Sequence, residues 1–341
     1  MIYKRVVLKA FGGPEQLQLE QMSGLPVPGP GQVRVKVLSA GTGFTDTVIR
    51  QGQYPGVKTK PPFVPGYDWY GLVDALGPGV TGLALGQAVA DMPVIGGYTQ
   101  YLCVDADRLV PAPDGLDPAP AVAMILSYTT AYQMLTRLKK LEPGMTCLVH
   151  AAGGAVGTAV LELGRQMGLL MYGTASSAKH ELVRRLGGIP IDYHSQDFAA
   201  FIATETGGVG VDIVLDTIGG ANWARSYQCV KRGGLLVGFG ALQLTTGEEK
   251  LPSLLWGFAR LQGLWKLLPD GRGTTFYNIQ SRRERLPGEF KEDVQTLFEM
   301  LRQGKLHPAI AGTARLEDVV DVHRRIDAAQ IAGKVVLLCQ Q

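Results

Sequence analysis

One stretch, residues 146–174, constrains the fold of this chain more than any other. A short apolar run at 146–150 leads into Ala-Ala-Gly-Gly-Ala-Val-Gly at 151–157, then a segment with helical periodicity and a second apolar run at 169–173. This order is typical of a strand, a tight turn, a helix and a second strand in a parallel sheet. We therefore predict that the chain is built around an α/β unit whose first turn is made of glycines.

The glycine turn has the features of a phosphate-binding site. Gly153 and Gly154 carry no side chain that would hold a pyrophosphate away from the backbone, and Gly157 lets the following helix lie close to the strand. The first helical turn, with Ala155 and Val156, directs unpaired N–H groups and the positive end of its dipole at the phosphates. We predict that this turn binds a dinucleotide; a tight turn with a purely structural role is the alternative.

The loop after the second strand distinguishes NADPH from NADH. Enzymes that prefer NAD usually place an acid there to accept from the ribose hydroxyl. This loop has no acid, and its polar side chains are Thr174, Ser176, Ser177 and Lys179. Hydroxyls and an ammonium can donate to a 2′-phosphate, which a carboxylate would repel. We predict NADPH; a polar loop that only faces solvent is the alternative.

Strand and helix signals continue to alternate up to a strand at 235–240. Strict alternation predicts a doubly wound parallel sheet with its ligand at the carboxyl ends of the strands. The turns at those ends place four further residues in the predicted cofactor site: Ile218, Phe239, Gly240 and Ala241.

The N-terminal half has a different pattern. Alternating valines after a Pro-Gly turn at 26–31, and further strand signals at 68–76, 87–92 and 98–104, predict a compact, mainly antiparallel barrel. A proline-rich loop follows a short helix signal at 45–51. Its aromatic residues, Tyr54, Tyr67 and Trp69 among them, either line a pocket or fill the core of this half, and both interpretations remain open.

Composition excludes several classes of protein. The chain has 341 residues, enough for two domains, and its 33 basic and 30 acidic residues nearly cancel, which disfavours nucleic-acid binding. No apolar run reaches the roughly 20 residues of a membrane span, and no signal-peptide core follows the N-terminus, so we predict a cytoplasmic protein. Four widely spaced cysteines predict no disulfide framework.

An apolar stripe at 254–268 predicts an amphipathic helix that packs on its domain or on a partner subunit.

The Pro-x-Pro-Gly-Pro-Gly-Gln turn at 26–32, the valine strand after it and the glycine turn at 151–157 resemble the zinc-free, zeta-crystallin-like quinone oxidoreductases of the medium-chain dehydrogenase/reductase superfamily. Residues 173–194 look most like the vesicle amine transport protein homologue branch. The resemblance covers nearly the whole chain. It implies a Rossmann domain that binds NADPH and a GroES-like β-barrel catalytic domain made from both chain ends.

The domain boundaries and several site residues follow from this resemblance. It implies catalytic-domain segments at 1–125 and 269–341 and a Rossmann domain at 126–268, with the last Rossmann edge strand near 274–279. It also implies that Lys179 and Tyr193 meet the 2′-phosphate, that Thr130 approaches the nicotinamide and that Lys334 lies near the cofactor. The strand around Phe276, Tyr277 and Asn278 is predicted to contribute to the cofactor site and to a homodimer interface.

The positions of the catalytic zinc ligands in metal-dependent cousins predict no metal here. In those cousins a Cys precedes the Thr-Asp of the first helix and a Gly-His-Glu follows the proline-rich loop. This chain has Gly43 at the first position and Gly66, Tyr67 and Asp68 at the second, and it lacks the cysteine-rich lobe that holds a second metal. Zinc requires several N or S ligands at once.

The turn that faces the substrate departs from the family pattern. The family usually reads Gly-Leu-Asn-Phe at 41–44, where this chain has Gly-Thr-Gly-Phe, and Val48 replaces a tyrosine. Tyr54 is left as the predicted phenol donor to the substrate oxygen, helped by Thr42 or Asn278. None of the five scattered histidines is predicted to be a base.

The predicted function is NADPH-dependent hydride transfer to quinones or α,β-unsaturated carbonyls, without zinc. The alternative is an NADPH-binding protein with little catalysis, either a sensor or a membrane-associated binding protein. Alcohol dehydrogenation, a third possibility, would require zinc.

Overall fold

The computed structural model describes residues 1–242 and 251–340. Their chain forms two compact units: Met1–Thr129 together with the chain from Arg283 onward, and Thr130–Arg282 between them. The first unit is therefore made from both chain ends. Its second segment begins at Arg283 rather than at the predicted residue 269, so the edge strand near 274 belongs entirely to the central unit.

The strands within the described ranges are β1 Ile2–Leu8, β2 Leu17–Ser23, β3 Gln32–Gly41, β4 Trp69–Leu76, β5 Ala88–Asp91, β6 Tyr101–Asp105, β7 Val110–Pro111, β8 Thr146–Val149, β9 Leu170–Ala175, β10 Gly188–Asp192, β11 Val211–Asp216, β12 Val230–Gly238, β13 Gly273–Phe276, β14 Ile310–Arg315 and β15 Lys334–Leu338.

The α-helices in the same ranges are α1 Phe44–Arg50, α2 Pro118–Ala123, α3 Thr129–Thr136, α4 Ala155–Gln166, α5 His180–Arg185, α6 Phe198–Glu205, α7 Asn222–Gln228, α8 Leu251–Gln262, α9 Ile279–Arg285, α10 Pro287–Arg302 and α11 Val319–Asp327. A π-helical turn, Met124–Tyr128, joins α2 to α3, and a 3₁₀ turn, Leu264–Leu267, follows α8.

The first unit contains a β1–β2 pair and a mixed sheet of order β14-β15-β3-β4-β5-β7, with β6 also paired to β3. The alternating valines of β3 explain its position. Val33, Val35 and Val37 are fully buried, while the intervening Arg34 and Lys36 lie on the other face and are partly exposed. This is the GroES-like β-barrel fold that the sequence predicted.

The central unit contains a parallel sheet of order β10-β9-β8-β11-β12-β13. The order reverses at β8, so β9 and β11 lie on either side of the strand that precedes the glycine turn. Parallel strands bring their carboxyl ends to one edge of the sheet, where ligands of doubly wound folds bind. The predicted Rossmann fold is confirmed.

Two predicted elements differ from those observed. The stripe predicted as one helix at 254–268 is helix α8 followed by the separate 3₁₀ turn. The strand predicted at 274–279 ends at Phe276, because the Asn278 side chain accepts the backbone N–H of Ser281 at 2.8 Å and thereby caps helix α9.

Candidate functional site

The glycine turn joins β8 to α4 and leaves the start of the helix open. Gly154 is the N-cap residue, and no side chain caps this end. A Cβ atom at Gly157 would lie 2.3 Å from the carbonyl oxygen of Ala151 and 2.6 Å from Cα of Ala152. Only glycine at position 157 therefore lets the helix approach the turn this closely, and the first helical N–H groups remain available to an anion.

Lys179 lies over this turn. A Cβ atom at Gly153 would be 2.6 Å from Cδ of Lys179, so the aliphatic part of the lysine occupies the space above the glycine. Burial lowers the pKa of Lys179. The structure therefore brings together two residues that the sequence assigned to the cofactor from separate loops.

The loop after β9 separates into buried and exposed residues. Thr174 is buried, and its hydroxyl is bonded to His150 and to the backbone N–H of Ala151. Ser176 is partly exposed and Ser177 fully so. The Thr174 hydroxyl, which was predicted to contact a phosphate, is therefore buried and already hydrogen-bonded, whereas both serines remain accessible.

Tyr193 leaves the sheet beside this loop. Asp192 pairs with Ala175 across β10 and β9, so Tyr193 and Ser176 follow at the same edge. The Tyr193 ring is 53% exposed and lies 4.2 Å, centroid to centroid, from the His194 ring. An exposed aromatic ring next to Ser176 fits the predicted 2′-phosphate site.

The turns after β11 and β12 are held close together. The Asp216 carboxylate accepts the N–H of Ile218 at 2.7 Å, and the N–H of Phe239 donates to the carbonyl of Asp216 at 2.9 Å. A Cβ atom at Gly240 would lie 2.3 Å from Oγ1 of Thr217. Ile218, Phe239 and Gly240, with Ala241 next in the chain, therefore lie at the carboxyl edge of the sheet, as predicted from their turns.

The last residue of β13 and the two that follow it already have partners within the chain. The Phe276 ring packs against those of Phe258 and Trp223, and the Tyr277 hydroxyl donates to Oε1 of Gln133 at 2.7 Å. Asn278 caps α9. Roles for Phe276, Tyr277 and Asn278 toward the cofactor stay predictions, and each would have to coexist with these contacts.

Thr130 carries an unsatisfied hydroxyl at the start of the central unit. The residue is 5% exposed, and its Oγ1 atom finds no hydrogen-bond partner among the residues that the structure describes. A buried, unpaired hydroxyl costs about 1–3 kcal/mol. Thr130 is the second residue after the π-helical turn, and such turns are often found at functional sites. An external polar group, such as the carboxamide of a nicotinamide, would satisfy it.

These residues fit NADPH. The open start of α4 and the side-chain-free turn suit a pyrophosphate, Lys179 with its neighbouring serines suits a 2′-phosphate, and Thr130 offers an unused hydroxyl. The fit comes from the chemistry of the donors.

The first unit contains a buried cluster of charges. Nζ of Lys334 lies 3.5 Å from Oδ2 of Asp68 and 3.5 Å from Oγ of Ser127, and the lysine and aspartate side chains are 4% and 1% exposed. A Cβ atom at Gly41 would collide with both partners, at 2.2 Å from Asp68 and 2.5 Å from Lys334. A side chain at position 41 would therefore displace this ion pair from its observed position.

A second buried carboxylate lies near the pair. Asp46, in α1, accepts the N–H of Gly43 at 2.9 Å. Burial and then the neighbouring Asp68 raise the pKa of Asp46 to about 7, and burial raises the pKa of Asp68 although Lys334 opposes the shift. The Lys334 ammonium thus pairs with Asp68 and acts on the pKa of Asp46 through its charge.

Tyr54 forms a pair with Tyr67. Their hydroxyl oxygens lie 2.7 Å apart and their rings meet edge to face. Tyr67 is 1% exposed, and its pKa is well above the usual value because of burial and then the adjacent Tyr54. Of the loop aromatics with two open interpretations, Tyr67 and Trp69 are core residues, while Tyr54 is partly exposed.

Thr42 has its proton engaged. The Thr42 hydroxyl is buried and donates to the carbonyl of Val335 at 2.7 Å. A hydroxyl has one proton, so in this arrangement Thr42 offers only lone pairs. Help from Thr42 as a second donor to substrate is therefore inconsistent with its observed hydrogen bond.

The positions of the family's zinc ligands do not fit a metal in this chain. Gly43 has no side chain, Tyr67 is bonded to Tyr54, and Asp68 is paired with Lys334. Within residues 1–242 and 251–340, no group of three His, Cys, Asp or Glu could hold a metal ion.

Two histidines are more deeply placed than the sequence indicated. His150 and His323 are 3% and 0% exposed, and burial lowers the pKa of both, that of His323 to about 3. Sequence reasoning missed His150 as a site residue. The available signal was a polar residue directly between a buried strand and the glycine turn.

No helix in the described ranges is long and apolar enough to cross a membrane. The cytoplasmic location stays a prediction.

Comparison with known proteins gives a consistent result. The family described as "Alcohol dehydrogenase GroES-like domain" matches residues 29–114, and that described as "Zinc-binding dehydrogenase" matches residues 188–337. The 2-haloacrylate reductase of Burkholderia sp is 31% identical over 98% of this chain and 98% of its own length. The synaptic vesicle membrane protein VAT-1 homolog of Rattus norvegicus is 32% identical over 98% of this chain and 83% of its own. The structure of Escherichia coli quinone oxidoreductase complexed with NADPH has a TM-score of 0.85 and 26% identity, covering 98% of this chain and 99% of that one.

Proposed function

This chain belongs to the zinc-free quinone oxidoreductases of the medium-chain dehydrogenase/reductase superfamily, and we propose that it reduces quinones or α,β-unsaturated carbonyl compounds with NADPH. The observation that carries the proposal is the open glycine turn with Lys179 lying across Gly153. A reductase of a haloacrylate and a quinone oxidoreductase among its relatives support the acceptor class.

The protein's own residues have three tasks in this reaction. NADPH supplies a hydride when bound. The open turn and Lys179 bind its phosphates, and Thr130 donates to its carboxamide. Tyr54 donates a hydrogen bond to the substrate oxygen as negative charge develops there, and a preorganised donor of this kind stabilises the transition state. The hydroxyl of the buried Tyr67 lies 2.7 Å from that of Tyr54, and either could be the donor. In the proposed reaction Tyr67 donates to Tyr54, which leaves the Tyr54 proton for the substrate.

The test is the loss of NADPH absorbance with a panel of ortho-quinones, para-quinones and alkenals, with NADH run in parallel and with simple alcohols plus NADP as a separate assay. Oxidation of NADPH in preference to NADH with any quinone or alkenal supports the proposal. Turnover restricted to alcohols would contradict it.

Tyr54→Phe is expected to lower kcat about 10- to 100-fold while leaving the Kd for NADPH within about twofold, because only the developing charge on the substrate loses a donor. Stopped-flow turnover and a fluorescence titration measure the two quantities. Tyr101→Phe, which removes a partly exposed phenol from the same unit, is the matched control. An unchanged kcat in Tyr54→Phe removes Tyr54 from the mechanism.

Lys179→Ala is expected to raise the Kd for NADPH about 10- to 100-fold, since a charge-assisted hydrogen bond contributes about 1.5–3 kcal/mol. The Kd for NADH should stay within about twofold, because NADH has no 2′-phosphate. Lys140→Ala is the control, because it removes an 88% exposed ammonium from the same unit. Equal weakening of both cofactors would show that Lys179 does not recognise the 2′-phosphate.

A second candidate function is NADPH binding with little catalysis. Two observations favour it: position 43 has no side chain, and the Thr42 proton is already donated to Val335. Tight NADPH binding without turnover across the whole acceptor panel would select this candidate.

We also propose that the chain forms a homodimer through the β13 edge of the central sheet. Beside that edge, α8, the 3₁₀ turn and the residue after it expose five large apolar side chains, namely Leu255, Trp256, Leu264, Leu267 and Leu268. An exposed apolar patch next to the edge strand of a sheet is typical of an interface between subunits.

Leu267→Lys, at a side chain that is 81% exposed, is expected to convert the dimer to a monomer in sedimentation velocity, because burial of an ammonium opposes association. Leu85→Lys, at a 66% exposed leucine of the other unit, should leave the dimer intact. A wild-type protein that sediments as a monomer would overturn this proposal.

A further inference from the structure

We propose that His150 positions the cofactor-binding turn, by joining it to the ends of β9 and β11 through one directed chain of hydrogen bonds. The imidazole nitrogens bond to Thr174 and Ser226, so the role of the ring is one of positioning. The inference rests on the proposed binding of NADPH to the central unit.

The donor and acceptor in each hydrogen bond of this series are fixed by Asp216, at one end of it. Oδ1 of Asp216 accepts the backbone N–H groups of Ile218 at 2.7 Å and Gly219 at 3.2 Å. Oδ2 accepts from Nδ2 of Asn222 at 2.9 Å and lies 2.6 Å from Oγ of Ser226. An ionised carboxylate only accepts, so Ser226 must donate its single proton to Asp216.

The state of His150 follows from this. Having given its proton to Asp216, the Ser226 oxygen can only accept, and Nε2 of His150 lies 3.0 Å from it. Nε2 must therefore carry the imidazole proton. Nδ1, 3.1 Å from Oγ1 of Thr174, is then an acceptor for the Thr174 hydroxyl. Burial lowers the pKa of His150, in keeping with a neutral ring.

The other end of this series of hydrogen bonds is the glycine turn. Oγ1 of Thr174 accepts the N–H of Ala151 at 3.3 Å, and the Thr174 carbonyl accepts the N–H of Ala152 at 2.9 Å. Ala151 has a φ of 54°, a left-handed conformation that costs an alanine about 1–2 kcal/mol. The carbonyl of Ala151 is the atom against which Gly157 packs. Thr174 thus holds the strained residue that sets the position of α4.

The imidazole itself has one orientation. The His150 ring meets the Phe198 ring edge to face at 4.6 Å, and the His150 backbone N–H donates to the carbonyl of Leu215 at 3.0 Å. The charged groups that face it are Asp216, 4.0 Å from Nε2, and Arg225. A single neutral ring therefore links the turn at 151–157 to the 216–219 turn predicted to contact the same cofactor.

A double-mutant cycle tests this link. Thr174→Val and Ser226→Ala each remove one hydroxyl, on opposite sides of the ring. Each is expected to raise the Kd for NADPH about tenfold, the worth of one hydrogen bond. The double variant should also show about a tenfold increase, because either change interrupts the same chain. Thr204→Val, which removes an exposed hydroxyl of α6, is the control and should combine with Ser226→Ala multiplicatively.

Histidine ¹⁵N NMR of the wild-type protein without cofactor gives an independent readout. The expected result is a neutral His150 with the proton on Nε2 and a hydrogen-bonded acceptor at Nδ1; a proton on Nδ1 would overturn the inference. So would single variants that leave the Kd unchanged, or a double variant near 100-fold, the product expected of independent hydroxyls, while NADPH still binds to the wild type. Failure of the wild type to bind NADPH overturns the proposed function as well.

Discussion

Lys334→Met is expected to destabilise the cofactor-free protein by about 3–5 kcal/mol above pH 7, because it leaves the buried Asp68 carboxylate without its ammonium partner. The Lys334 and Asp68 side chains are 4% and 1% exposed, and Asp46 is 1% exposed nearby. Oδ2 of Asp68 also accepts the backbone N–H of Leu126 at 3.2 Å, but removal of the cationic partner of a buried charge is among the costliest changes that one substitution can make. Urea denaturation of the apo protein measures the free energy of unfolding without involving the cofactor.

The loss should depend on pH in a defined direction. Burial raises the pKa of both Asp46 and Asp68 in the folded state, that of Asp46 to about 7. A group whose pKa is raised by folding contributes stability below its unfolded pKa, and this contribution is lost as pH rises through the folded value. Lys334→Met raises both pKa values further. Its cost should therefore increase with pH from the unfolded value of 3.8 upward.

A second substitution separates the charge from the packing. Asp68→Asn combined with Lys334→Met removes both charges and should recover most of the lost stability above pH 7. Lys60→Met, at an exposed lysine of the same unit, should change the free energy of unfolding by less than about 0.5 kcal/mol. If the free energy of unfolding of Lys334→Met stays within about 1 kcal/mol of the wild-type value at all pH values, the ion pair is not needed for folding. The predicted position near the cofactor would then be the main role of Lys334.

Gly157→Ala is expected to weaken NADPH binding more than about 100-fold and to destabilise the central unit by about 1–3 kcal/mol. The added Cβ atom would meet only backbone, at 2.3 Å from the Ala151 carbonyl oxygen and 2.6 Å from Cα of Ala152. Neither atom can rotate away, so α4 must move and its N–H groups lose their position around the turn. A fluorescence titration with NADPH and thermal unfolding of the apo protein measure the two effects.

Substitutions at two other glycines provide an intermediate case and a control for Gly157→Ala. At Gly153 an added Cβ atom would lie 2.6 Å from Cδ and 2.9 Å from Cβ of Lys179; Cδ can move but Cβ is fixed by the backbone, so Gly153→Ala should weaken NADPH binding with a smaller loss of stability than Gly157→Ala. At Gly288, near the start of α10, nothing lies within 4 Å, and Gly288→Ala should leave binding unchanged and stability equal or slightly higher. If Gly157→Ala binds NADPH as tightly as Gly288→Ala does, the close approach of helix and turn is unnecessary for the cofactor.

The part of the site that was predictable from sequence consists of short contiguous stretches, whose role follows from backbone conformation and from the order of neighbouring residues. The glycine turn, the absence of an acid after β9 and the turns ending β11 and β12 are contiguous stretches whose chemistry follows from their place between a strand and a helix. Lys179 was assigned from its loop, and its contact with Gly153 agrees with that assignment. Asn278 shows the opposite case, since its own local preference for a helix cap ended the predicted strand early.

By itself, the sequence determined the α/β order, the doubly wound sheet, the barrel and the need for glycine in the first turn, because periodicity and backbone freedom act over a few residues. Only the tertiary structure decided which polar atoms are already in use. Thr42 donates to a carbonyl 293 positions away, Lys334 pairs with Asp68, and His150 connects Thr174 of β9 to Ser226 of α7. A hydroxyl has one proton and a buried charge needs a partner, so the role left to each side chain is set by contacts that no local pattern records.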